Sequence, residues 1–153
     1  MIDHAEALQR LDAHYQAMPP VAAMRLRVVD YDGTRLRLEA PLAAHVNDKG
    51  CAFGGSLGSL LTLAAWGVLH LRLEDAGVDA DIFVADSTLR FLAPLYDDLQ
   101  ATAQLAAASD WDGFLAALRN RGRGRIELLA QVPLAGGGIA TEFRARYVAI
   151  ARR

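Results

Sequence analysis

The chain has 153 residues, 53% of them hydrophobic and 22% charged, which fits a single domain over 1–153 with a sizeable core and leaves little room for a second. A formal net charge of -2 supplies no field to gather nucleic acid or an anionic membrane, and 4 histidines without ligand spacing to Cys51 or the acids imply no metal. One cysteine rules out an internal disulfide framework, and an N-terminus carrying Asp3, Glu6 and Asp12 lacks a secretory signal's apolar run, so the cytoplasm is the expected compartment.

Residues 1–20 read as an N-terminal helix and linker. Ala7, Leu8, Leu11 and Tyr15 recur at helical spacing, and Pro19-Pro20 stops the run. Leu26 and Val28, then Leu36, Leu38 and Ala40 alternating with charged residues, flank an Asp32-Gly33 turn and predict an antiparallel hairpin. Pro41 ends its second strand. A polar loop over 41–52 leads into a long helix over 53–76, with Gly77 as its stop. Strands follow over 82–92 and 99–105, separated by Pro94. Trp111, Phe114, Leu115 and Leu118 predict a short helix over 110–120, capped by Ser109 or Asp110. Residues 125–133 and 141–150 close the chain as two strands joined by a glycine-rich turn.

The long helix decides the fold class. No Lys, Arg, Asp or Glu occurs from Gly50 through Leu71, a length that reaches across a bilayer, and Gly54 and Gly58 have the small-xxx-small spacing of packed membrane helices. Yet the run also holds Ser56, Ser59, Thr62 and His70, and half-buried strand patterns flank it. An apolar-all-round helix is equally what the centre of a soluble core requires, so no membrane span is expected. The expected class is α+β: an antiparallel sheet curved around a central helix about 33 Å long at the standard rise, which describes a hotdog fold.

The passage His45-Val46-Asn47-Asp48-Lys49-Gly50-Cys51-Ala52-Phe53-Gly54-Gly55-Ser56-Leu57 resembles the loop-to-helix signature of hotdog-fold thioesterases, most nearly that of the YiiD C-terminal-like putative thioesterases. Asn47, Gly50 and Gly54-Gly55 fall on the signature's asparagine and glycines, 87–94 resembles the family's third strand and 121–132 its fifth. The likeness runs from about Leu36 to the end. It implies hydrolysis of an acyl-CoA or acyl-carrier-protein thioester by direct water attack, with no cofactor beyond the coenzyme A of the substrate. It also implies a homodimer, or a dimer of dimers, with sheets joined edge to edge. The chain departs from the commonest pattern at Phe53 and Thr62, which stand where those enzymes carry a histidine and an acid. That departure argues against a dehydratase and motivates the alternative of a non-catalytic acyl-thioester-binding or structural dimer. Fusion of some members to an acetyltransferase suggests a third role, for which this chain's length leaves no partner domain.

Amides at a glycine-led helix start carry the positive end of the helix dipole and let a ligand approach closely, so Gly54 and Gly55 are candidates to stabilise a thioester oxyanion; tight packing across a dimer is their other reading. The helix offers no carboxylate between Gly50 and Leu71, which moves the candidate base to Asp48 in the loop, with Asn47 orienting water or the carbonyl, or to Asp86 in the third strand. Asp48 reads equally as a turn residue. Asp86, set by strand alternation on the face of Val84 and Thr88, must be paired with an arginine or have a raised pKa. Phe53, Ser56, Ser59 and Thr62 are candidates to contact the acyl chain, although such hydroxyls often bond back to the preceding turn. His45 reads as a loop surface residue. Arg119 to Arg125 alternates arginines and offers Arg121 and Arg123 to phosphate, with Arg90 a weaker candidate of the same kind; guarding a sheet edge is the other reading.

Overall fold

The computed structural model describes residues 3–152. Asp3 caps helix α1 (His4–Gln16) by accepting the Ala5 amide at 2.9 Å, and the helix buries Ala7, Leu11 and Tyr15. Pro19-Pro20 ends that run and also starts a short helix α2 (Pro19–Ala22), since a missing N–H costs nothing in a first turn. Strands β1 (Arg27–Tyr31) and β2 (Leu36–Ala40) form the expected hairpin, its turn held by Asp32 Oδ1 accepting from the Thr34 and Arg35 amides at 2.8 and 2.7 Å. Helix α3 (Gly54–Asp75) follows the loop and stops at Gly77, whose φ of 70° suits glycine. The remainder is β3 (Ala80–Phe91), β4 (Leu99–Leu105), α4 (Trp111–Arg121), β5 (Arg123–Pro133) and β6 (Ile139–Ala151).

All six strands join one antiparallel sheet in the order β1-β2-β4-β5-β6-β3. Alternation sends Leu36, Leu38, Leu99, Ala101, Ala103, Leu128 and Tyr147 to one fully buried face. Against that face lies α3, with Leu60, Leu61, Ala64, Ala65, Val68 and Leu69 at 0% exposure. This is the hotdog arrangement, α+β with a long central helix. By length and composition alone α3 would cross a membrane. Here the sheet supplies the apolar surroundings that such a helix needs.

Two buried tyrosines fasten the helix at its middle: Tyr15 donates to the Leu63 carbonyl at 2.6 Å and Tyr147 to that of Thr62 at 2.7 Å. Burial pushes both hydroxyls above their ordinary pKa, so they remain donors. The arginine-rich stretch is divided between two elements. Arg119 and Arg121 belong to the last turn of α4, Gly122 ends that helix at φ 74°, and only Arg123 and Arg125 lie on β5.

Candidate active site

The loop before α3 is built by its own polar groups. Asn47 Oδ1 accepts from the Lys49 amide at 2.8 Å and the Cys51 amide at 3.2 Å, while its Nδ2 donates to Cys51 Sγ at 3.3 Å. Asn47 therefore folds the turn, with both ends of its amide occupied. Backbone bonds from Ala52 to the Leu95 carbonyl at 2.8 Å and from Phe53 to the His45 carbonyl at 2.7 Å fix where the helix begins.

That beginning has no side-chain cap. The first helical bond is Leu57 to Phe53 at 3.1 Å, and the Gly54, Gly55 and Ser56 amides have no acceptor among the described residues. Unpaired first-turn amides at the positive end of a 22-residue helix are donors awaiting an acceptor. Beside them lies His45, only 6% exposed. Its Nδ1 is 2.8 Å from Ser56 Oγ and its Nε2 is 2.7 Å from the Met24 carbonyl oxygen. The expectation of a surface histidine is corrected: the α2 segment closes over the loop and buries the ring.

An apolar cleft of about 810 Å³ opens on this point, bounded by Met24 after α2, by Leu89 and Phe91 of β3, and by the first turns of α3. Phe53, Gly54, Gly55, Ser56, Ser59 and Thr62 all line it, so the structure gathers these six expected residues at one place. Thr62 Oγ1 donates back to the Gly58 carbonyl at 2.8 Å, the back-bond expected of a helical hydroxyl. Thr62 and Leu63 also line a further hollow reaching Trp66 and Met18, so the apolar surface continues along the helix for about 18 Å at the standard rise.

The other expected residues stand elsewhere. The Asp48 side chain is 80% exposed and pairs with Lys49 at 3.0 Å, outside the cleft lining. Asp86 does not share a face with Val84. A bulge between them sets Val84 opposite buried Tyr147 and Asp86 opposite exposed Arg146, turning the carboxylate to the outer face. Asp86 pairs with Arg146 there, and the hydrogen bonds from the guanidinium hold its carboxyl below the ordinary range. Arg90 is on the same outer face, 3.8 Å from Glu142. Arg121 and Arg123 line a polar groove with Asp110 and Glu127. Arg119, outside that groove, donates to the Ala76 carbonyl at 3.2 Å. The groove and the cleft share no lining residue. Sequence reasoning missed that His45 is buried against Ser56 of the cleft lining, its sole signal being its place in the polar loop ahead of the glycine pair.

A family model described as "putative thioesterase" (YiiD C-terminal) matches residues 7–151. A Chlorobaculum tepidum protein of unknown function superimposes with a TM-score of 0.90 at 24% identity, covering 97% of each chain. The putative thioesterase from Shewanella oneidensis is 28% identical with a TM-score of 0.85, over 95% of this chain and 99% of that one.

Proposed function

The chain belongs to the family described as putative thioesterase (YiiD C-terminal), and from that membership we propose that it hydrolyses an acyl-CoA or acyl-carrier-protein thioester at the start of α3. The observation that carries this reading is a helix start where three amides have no acceptor among the described residues, opening on an apolar cleft. An acyl chain fits the cleft, where apolar surface is removed from water, and its carbonyl oxygen reaches the Gly54 to Ser56 amides. As the carbonyl carbon is attacked, that oxygen becomes anionic. The amides then bind it more strongly than they bind the ground state, which is what lowers a barrier. Coenzyme A enters only as part of the substrate, and no separate cofactor takes part. We place the working form in the cytoplasm as a homodimer or dimer of dimers.

No carboxylate lines the cleft among the described residues, and this favours the second reading, an acyl-thioester-binding dimer without turnover. Thiol release from a panel running from acetyl-CoA to palmitoyl-CoA decides between them. The expected result is steady release with a preference for one range of chain length. Saturable binding of the same thioesters without release on any of them would remove the enzyme reading. Asp48→Ala, whose carboxylate faces solvent, is expected to keep near wild-type release.

A further inference from the structure

We propose that Ser56 is the nucleophile of this site and His45 its general base, so that cleavage runs through an acyl-serine; the proposal rests on the thioester reading above. The hydrogen positions follow from the partners. A carbonyl oxygen only accepts, so the contact at 2.7 Å to Met24 places the imidazole hydrogen on Nε2. Nδ1 of the neutral ring is then the acceptor, and the Ser56 hydroxyl donates to it at 2.8 Å. Nucleophile, base and a third group that fixes the base's tautomer are the three parts an activated serine requires. The Met24 carbonyl stands where a carboxylate commonly does.

The backbone is bent to supply that carbonyl. Arg25, the next residue, is the one non-glycine residue with positive φ among those described, at 55°. A left-handed conformation is strained for a side-chain-bearing residue and persists only where its surroundings hold it. Here the peptide it turns is the one that meets His45. Ser56 also sits in the first turn of α3, where the helix dipole favours a developing negative charge, and it lines the cleft that holds the reacting carbonyl.

The chemistry balances without a further reactant. Ser56 Oγ attacks the thioester carbon while its proton passes to His45 Nδ1. The C–S bond breaks, and the imidazolium returns the proton to the thiolate sulfur, releasing the thiol and leaving an oxygen ester on Ser56. Water then attacks the ester carbon, gives its proton to Nδ1, and the C–Oγ bond breaks as Oγ recovers that proton. The acid leaves. This sequence replaces the direct water attack that the family resemblance implies, and it explains how a cleft without carboxylates hydrolyses a thioester.

Two experiments on the full chain test the pair. In the first, wild type is quenched with acid during turnover of octanoyl-CoA, and peptides are mapped by mass spectrometry; an octanoyl increment on Ser56 is expected. In the second, an octyl fluorophosphonate is added without thioester, and stoichiometric labelling of Ser56 is expected. Ser56→Ala should lose both adducts and lower kcat by about 100-fold or more. His45→Gln, which keeps a donor for the Met24 carbonyl and so preserves the fold, should slow labelling to a similar degree. Thioester turnover with no adduct on Ser56, or with Ser56→Ala within threefold of wild type, would overturn the pair and leave the thioesterase reading standing. Labelling of Ser56 with no turnover of any thioester would overturn that reading and support the pair.

Discussion

At the scale of single residues, Gly67 is where packing tolerates least. A Cβ there would lie 2.3 Å from Tyr15 Oη and 2.6 Å from Leu36 Cδ2, the first of which is bonded to the Leu63 carbonyl. Gly67→Ala is therefore expected to destabilise by about 1–3 kcal/mol from overpacking, exceeding the ~1 kcal/mol that alanine contributes to a helix interior. Urea unfolding measures it. Combining the change with Tyr15→Phe, which removes the nearest atom, should cost less than the two separate losses together. The residue scale is also where the sequence is least legible. The glycine pair announced itself by type and place, but nothing near His45 reveals that Met24, 21 positions earlier, would fold over it. Asp86 failed for a related reason: period-two alternation places it beside Val84, and one inserted bulge residue reverses the face.

At the scale of elements, the start of α3 separates two roles that the sequence left joined. A Cβ on Gly54 would meet Phe91 at 3.5 Å, an ordinary contact, whereas one on Gly55 would come within 2.5 Å of the Phe53 ring. Gly54→Ala is expected to keep both fold and most of the turnover. Gly55→Ala must displace Phe53, which lines the cleft, and is expected to lower kcat/KM about tenfold or more by disturbing donors aimed at the oxyanion. Steady-state thiol release from octanoyl-CoA on both variants checks the contrast, and equal losses would show that crowding of Phe53 is not what matters. Elements with strong periodicity were read nearly to their ends: the charge-free run gave α3, and alternation gave β2 and β4. Gly122 looks the same in a strand as in a left-handed helix cap, so the sequence alone does not divide the arginine array between α4 and β5, and only the φ of 74° does.

At the scale of the whole molecule, the sheet ends on its longest exposed problem. Strand β3 has 12 residues, pairs with β6 on one side, and is the last strand in the order, so its other backbone edge is unsatisfied within the chain. Natural edges are shortened, charged or covered, because an open edge templates further pairing. This one carries Phe83 at 54% and Val84 at 45% exposure, with Phe91 at 56% near its end. Pairing β3 with a second copy would satisfy the backbone and cover those side chains by a two-fold contact. Sedimentation equilibrium is expected to give twice the chain mass, or four times if such dimers pair again, and a single-chain mass at every concentration would reject the assembly. Introducing Phe83→Asp with Val84→Asp puts like charges on both edges and is expected to yield monomers. Turnover should fall with assembly, because Leu89 and Phe91 of the same strand form one wall of the cleft, and a free edge leaves that wall with support from β6 alone.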